Sequence, residues 1–344
     1  MRVGMTLGYS GGFSQVVEEL ADFERAGLDI VFVPEAYSFD AVSQLGYIAA
    51  RTTRLEMASG ILPIYSRTPA LTAMTAAGLD FVSGGRFTLG LGTSGPQVIE
   101  GWHGVAYDAP IGRTRELIEI CRMVWRRDRL DYKGRYYRLP LEGGTGLGKP
   151  LKLINHPVRE RIPIVIAALG PKNVALAAEL AEGWQPVFYV PEKAAGAWAA
   201  PLAEGKAKRA ADLGPLDVIG AAPLAIGEDV TALRELARPY FALYIGGMGA
   251  RGRNFYFDLA CRFGYEDEAA RIQDAYLSGR KDEAAALVPA ELLEKTALIG
   301  PDGYVADRLA AFRESGVTTL NVTPLAATHA ARVADIERVR ELAA

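Results

Sequence analysis

Short apolar runs, each too brief for a helix, recur along this chain with a helical segment after nearly every one. No other feature restricts the fold so strongly. Val3–Leu7, Asp29–Val33, Leu55–Ser59 and Phe87–Leu91 are the first four runs. Between the first two, "SQVVEELADFERAG" sets Val16, Val17, Leu20 and Phe23 at helical spacing, with Ser14 as candidate cap and Gly27 as stop. The second helix covers about Asp40–Thr53, with Val42, Leu45, Ile48 and Ala49 on one face. The third begins at Thr68, with Pro69 at its first position, where a missing N–H does no harm. "IPIVIAALG" is the fifth strand and "PKNVALAAELAEG" its helix. "WQPVFYV", "LDVIGAAPLAI" and "GVTTLNVTP" are strands six, seven and eight. An alanine-rich helix is expected over Glu192–Leu213 and a last one over about Thr328–Leu342.

Strands buried on both faces and separated by helices form a parallel sheet. Eight of them fit an α/β fold of the (β/α)8 TIM-barrel type better than an open doubly wound sheet, and no GxGxxG follows the first strand. Residues 1–344 read as a single barrel domain with two stretches beyond the repeat, about 131–160 and 247–296. The first holds a hairpin, "LDYKGRYYRLP", and a glycine-rich loop; the second holds several short helices. Such stretches are either decoration or, when they follow barrel strands at the C-terminal face, builders of the active site.

Charge and cysteine usage exclude several partners. With 38 basic and 41 acidic residues the net charge is −3, which gives no field to attract nucleic acid or an anionic membrane. Cys121 and Cys261 lie 140 residues apart on predicted helices, so a disulfide framework is not expected and a reducing cytoplasm fits. "MRVGMTLGYSGG" lacks the charged and apolar regions of a signal peptide. No apolar run approaches the ~20 residues that span a bilayer. The expectation is a soluble cytoplasmic protein with neither nucleic acid nor membrane as partner.

A barrel places its chemistry in the loops after the strands. After strand two, "PEAYSFD" carries Glu35, which either points into the mouth or caps the next helix. After strand three, "SGILPIYSRTP" inserts Gly60, Ile61, Pro63, Tyr65 and Arg67 where a plain joint would suffice. After strand four, "GTSGPQVIEGWHG" has four glycines, two hydroxyls (Thr93, Ser94) and the Trp102-His103 pair. Its glycines let a ligand approach the backbone. After strand five, "AALGPKN" ends the strand at Gly170 and sets Lys172 and Asn173 in the first turn of a helix. That turn is either an ordinary connection or a site for phosphate or carboxylate. His103, His156 and His329 show no metal-ligand spacing, and neither a GxSxG elbow nor a Cys/His nucleophile pattern is present.

These joints carry a resemblance. The segments "SGILPIYSRTPALTAMTAAGLDFVSGGRFTLGLGTSGPQVIEGWHG", "RTRELIEICRMVWR", "AALGPKNVALAAELAEGW", "LYIGGMGARGRNFYFDLACRFGY" and "LIGPDGYVADRLAAFRESGVTTLNVTP" resemble the luciferase-like monooxygenase superfamily, specifically its coenzyme F420-dependent oxidoreductase branch. The resemblance implies a barrel with a deazaflavin at its C-terminal mouth and a cis peptide at Gly60–Ile61, bulged behind the ring. It implies Glu35 near the ring edge, Thr93, Ser94 and Gly95 beside the ring and its sugar-like chain, and Leu169, Gly170, Lys172 and Asn173 around the phosphate. Arg67, Arg251 and Arg253 are candidates to meet the cofactor's acidic tail.

The implied activity is hydride transfer between coenzyme F420 and a small organic substrate. Glu35, Tyr65 and His103 are candidate acids, and Trp102, Asn254 and Tyr256 candidate substrate contacts. Two other readings stay open: an FMN-dependent monooxygenase using oxygen and a partner reductase, and a non-catalytic deazaflavin-binding protein. A homodimer or higher homo-oligomer is expected by the same likeness.

Overall fold

Eight apolar segments close into one parallel sheet. A computed structural model describes residues 1–9 and 12–344. The barrel strands are β1 (Arg2–Thr6), β2 (Ile30–Val33), β3 (Glu56–Ser59), β4 (Phe87–Gly92), β5 (Ile164–Ala167), β6 (Gly183–Gln185), β7 (Asp217–Ile226) and β8 (Thr319–Pro324). Each pairs in parallel with its chain neighbour, and β8 returns to β1 in the register Arg2↔Thr319 to Met5↔Val322. The architecture is the (β/α)8 barrel that the alternation predicts.

Side chains alternate across each strand, so the barrel has two separate apolar interiors. Val31, Val33, Met57, Leu89 and Leu320 face outward into the large core shared with the helices. Ile30, Phe32, Ala58, Val165 and Ile219 form a small second cluster along the barrel axis. Nearby, Asn321 of β8 donates to the Thr6 hydroxyl of β1 at 2.6 Å, bridging the first and last strands.

The helices start where local chemistry favours it. Helix α1 (Phe13–Arg25) is preceded by Gly12 in the left-handed region (φ 77°), with no side-chain cap; Ser14 lies inside the first turn and is not the cap expected for it. Asp40 caps α2 (Ala41–Arg51) by accepting from the Ser43 N–H, and Thr68 caps α3 (Pro69–Ser83) by accepting from Leu71. Helix α4 (Pro96–Gly101) follows β4, and α5 (Pro110–Trp125) follows it. On α5, Glu116 accepts from the N–H groups of Arg135, Tyr136 and Tyr137, which fixes the hairpin Tyr132–Lys133/Arg138–Leu139 against the barrel. Helix α6 is Pro171–Leu180 and α7 is Pro191–Lys206.

Other sequence expectations are corrected here. The "WQPVFYV" strand lasts only over Gly183–Gln185, because Pro186 cannot donate to the ladder. The Glu192–Leu213 helix stops at Lys206, and a 3-10 turn takes Ala211–Leu213. The long excursion after β7 starts well before residue 247, with turns and short helices already over Thr231–Gly247. An unexpected strand, Leu298–Gly300, pairs with the outer end of β7 from Leu224 to Ile226.

Candidate active site at the barrel mouth

The joint after β3 is built around a missing ladder step. β3 pairs with β4 at Met57↔Phe87 and Ala58↔Thr88, and pairing resumes at Leu62↔Leu91 and Pro63↔Gly92. The chain thus advances four residues on one side against three on the other, which is a one-residue bulge. The Gly60–Ile61 peptide within it is cis. Ser59 takes over the interrupted ladder. Its Oγ donates to the Gly90 carbonyl at 2.8 Å and accepts from the Gly90 N–H at 2.9 Å.

Three glycines make this geometry possible. A Cβ on Gly90 would lie 1.7 Å from the Ser59 carbonyl oxygen, so no side chain fits there. A Cβ on Gly92 would lie 2.8 Å from Ile61 Cδ1, and one on Gly60 3.0 Å from Phe32 Cβ. Ile61 therefore lies directly over Gly92, at the C-terminal end of β4. The result is a low floor closed on one side by an aliphatic side chain.

Beside the floor stands an ion-paired triad. Arg67 donates to both Glu35 oxygens, at 2.6 and 2.9 Å, and to Asp40 at 2.9 Å. Glu35 also accepts from the Ala41 N–H at 3.0 Å, so it serves the start of α2 as well as the mouth. Hydrogen bonds to the Glu35 carboxylate raise the Arg67 guanidinium's pKa. Tyr65 turns elsewhere, donating to the Asp108 carbonyl at 2.7 Å. A cavity of about 420 Å³ opens between this joint and the hairpin, lined by Tyr65, Arg67, Arg113, Tyr137 and Arg138 among others. Its arginines are answered by carboxylates, Arg113 by Asp108 and Arg138 by Glu142.

The loops after β4 and β5 hold unclaimed polar atoms. Thr93, Ser94 (φ 55°) and Gly95 lead into α4, whose N-cap is Gly95 without a side-chain cap. Burial raises the Tyr107 phenol's pKa, opposed by a hydrogen bond with Thr93. Trp102 lies exposed at the rim, 6.4 Å from the Tyr37 ring. His103 Nε2 is buried with no partner among the described residues.

After β5, the carbonyls of Ala168 and Leu169 accept from the Trp184 and Trp198 indoles at 2.9 and 3.1 Å, which holds the turn from below. Gly170 is the N-cap of α6 without a side-chain cap, Lys172 is exposed, and Asn173 Oδ1 is buried without a partner among the described residues. Gln185 Oε1, ending β6, is in the same condition.

Two expected contacts behave otherwise. Asn254 is buried as a helix cap. It accepts from Tyr256 and Phe257 N–H and donates to the Tyr244 and Ile245 carbonyls at 2.9 Å, which engages its whole amide and makes it a strut rather than a substrate contact. Arg251 is paired with Asp274 on the outside. Tyr256 does join an aromatic group, with its ring 4.7 Å from Tyr244 and 6.0 Å from Phe188.

Sequence reading missed Ser59, Gly90, Gly92, Tyr9 and Tyr244. The spacing Gly90-Leu91-Gly92 puts two glycines on one face of a strand, a signal of close approach that was available.

A closed parallel barrel whose C-terminal mouth joins a glycine floor to unengaged acceptors and a helix N-terminus is an enzyme scaffold suited to an extended cofactor. The luciferase-like monooxygenase profile matches residues 1–319. A Mycobacterium tuberculosis protein classed by name as a coenzyme F420-dependent oxidoreductase is 42% identical over 351 aligned residues, covering 100% of this chain and 98% of the relative. A 5,10-methylenetetrahydromethanopterin reductase of Archaeoglobus fulgidus is 27% identical, over 86% of this chain and 85% of its own length. Among solved structures, the coenzyme F420-dependent tetrahydromethanopterin reductase of Methanopyrus kandleri superposes with a TM-score of 0.78 at 22% identity, covering 98% of this chain and 96% of that one. The chain belongs to the luciferase-like monooxygenase family, and it is an oxidoreductase.

Proposed function

We propose that this protein is a coenzyme F420-dependent oxidoreductase that moves hydride between the deazaflavin and a small organic substrate. The observation that carries the reading is the bulge after β3 at the barrel mouth, where Gly60, Gly90 and Gly92 leave no room for a Cβ and seat Ile61 closely against β4. The end-to-end likeness to a relative whose name carries this cofactor supports it.

The residues present fit the group. Gly60, Ile61, Thr93, Ser94 and Gly95 would hold the ring, with Glu35 at its edge. The free amides at the start of α6, with Lys172, suit a phosphate, and the unclaimed oxygens of Asn173 and Gln185 suit hydroxyl or ring N–H donors. When bound, a deazaflavin supplies two-electron hydride chemistry, with carbon where a flavin has its central nitrogen. The protein's own work is to orient, to exclude water and to manage one proton. Of the candidate acids, Glu35 is held by Arg67 and Tyr65 by a backbone carbonyl. His103 keeps a ring nitrogen with no partner among the described residues, so we assign it the proton.

Anaerobic titration of the purified protein with coenzyme F420 and with FMN, side by side, tests the assignment. Tighter binding of F420 and its reduction or oxidation by a substrate are the expected results. Preference for FMN would instead make the protein an oxygen-using monooxygenase, and tight F420 binding without turnover a carrier.

Self-association is part of the same proposal. On α3 the exposed side chains are Leu71, Met74, Phe81 and Val82, with Gly78 between them, and the only charged residue, Asp80, is buried against Arg159. Crossing a second copy about a two-fold at Gly78 would set Met74 of each helix against Val82 of the other, with Leu71 and Phe81 flanking the contact, a self-complementary match. A cytoplasmic location accords with the free thiols of Cys121 and Cys261, and among the described residues no helix is long and apolar enough to cross a membrane.

A further inference from the structure

We infer that the mouth takes an uncharged, largely apolar substrate bearing a carbonyl or hydroxyl group, gripped by tyrosines contributed from the loops after β1, β4 and β7. The inference rests on the hydride-transfer reading above and names the substrate class of that site.

Aromatic rings converge there from separate parts of the chain. Tyr240, Tyr244 and Tyr256 arrive after β7, with Tyr240–Tyr244 centroids 4.4 Å apart and Tyr244–Tyr256 4.7 Å. Phe188, after β6, lies 5.5 Å from Tyr244 and stacks on Phe241 at 4.3 Å. Its backbone is left-handed (φ 55°), a conformation that a bulky residue keeps only where its surroundings impose it. Tyr9, after β1, stands exposed at the rim with Tyr244, Tyr37 and Glu35 as neighbours, and its phenol is raised above the ordinary value. Burial, together with Tyr244, Tyr9 and Tyr107, raises Tyr256 as well. These phenols stay protonated at neutral pH and offer donors to an oxygen, while their ring faces cover an apolar body.

Three arginines near the mouth are committed elsewhere, while Lys172 is reserved for the cofactor's phosphate and the exposed Arg253 is the cation that glucose 6-phosphate would probe. Arg67 is paired with Glu35 and Asp40, Arg251 with Asp274, and Arg262 donates to the carbonyls of Leu169 and Ala197. A phosphate or carboxylate placed among the tyrosines would shed water without gaining Arg67, Arg251 or Arg262 as a partner, which disfavours it. A neutral ketone or secondary alcohol incurs no such cost.

Saturation-transfer NMR on the full chain, with cyclohexanone and glucose 6-phosphate as probes, decides the matter. Cyclohexanone should bind, glucose 6-phosphate should not, and both Tyr244→Leu and the rim variant Tyr9→Leu should weaken the cyclohexanone contact at least tenfold. Coenzyme F420 affinity, followed separately by its fluorescence, serves as the folding control for each variant. Absence of cyclohexanone binding, indifference of that binding to both substitutions, or glucose 6-phosphate binding that Arg253→Ala abolishes would each overturn the assignment. Cyclohexanone binding without any F420 binding would leave the pocket standing and remove the hydride-transfer reading. F420-dependent oxidation of glucose 6-phosphate would do the reverse.

Discussion

Ser59 and Gly90 hold each other by two hydrogen bonds, with the Ser59 carbonyl occupying the space that a Gly90 side chain would need. Ser59 is fully buried, so removing its hydroxyl leaves a backbone donor and acceptor of β4 unanswered. Ser59→Ala should cost about 1–3 kcal/mol in urea unfolding. Gly90→Ala should be worse, yielding little or no folded protein in circular dichroism melts, because the clash is with backbone. Equal, small effects of the two substitutions would contradict this view of the joint.

Gly92 differs because its neighbours are side-chain atoms, Ile61 Cδ1 and Cγ1, rather than backbone. Gly92→Ala should leave the melting temperature within a few degrees of the parent while lifting Ile61 off the floor. Fluorescence titration should then show coenzyme F420 binding at least tenfold weaker. Unchanged affinity would mean that the ring does not rest here.

Arg67 and Glu35 are largely enclosed, with side chains only 13% and 8% exposed. Arg67→Met would strand the carboxylate, and about 3 kcal/mol of stability should be lost, the low end for broken buried pairs. The double variant with Glu35→Gln should recover part of that loss. A double-mutant cycle from chemical denaturation measures the coupling.

Eight of the fifteen tyrosines are partly or fully buried with raised phenol pKa values, burial being the main cause: Tyr65, Tyr107, Tyr132, Tyr137, Tyr189, Tyr256, Tyr265 and Tyr304. In the unfolded chain the same phenols ionise near their ordinary value of about 10. The unfolded state therefore loses protons first, and the stability these groups contribute is complete below pH 10 and falls as pH rises through the folded values. Absorbance titration of tyrosinate should show a minor early phase, then a cooperative step coinciding with loss of helix signal. A single smooth titration centred near pH 10 with the fold intact would be incompatible with the buried phenols.

Phe81 is 67% exposed on the uncharged face of α3. Light scattering should give the parent protein twice its chain mass of 37.0 kDa, and Phe81→Glu the single-chain mass. The substitution leaves the mouth untouched, so coenzyme affinity should survive it. A parent protein already at 37.0 kDa would remove the dimer.

The barrel was readable because buried parallel strands and amphipathic helices each leave a periodic trace. Their limits were less so. Pro186 cuts β6 short, and Gly12 displaces Ser14 from the cap, both through backbone rules that act one residue at a time. At the mouth, Gly60 and Ile61 came from family likeness, since no periodicity marks a cis bond. The partnership of Ser59 with Gly90 spans 31 residues and leaves no local mark. Asn254 shows the opposite error: an amide in a loop looks ready for a ligand until its four hydrogen bonds are seen to be internal.

The seam between β1 and β8, bridged by Asn321 and Thr6, sets the order of events during synthesis. Until the segment around residue 320 leaves the ribosome, β1 has one bare margin and the nascent sheet cannot shut. A chaperone that shields unpaired strand margins would find its target over most of translation and lose it at the final turn of the barrel.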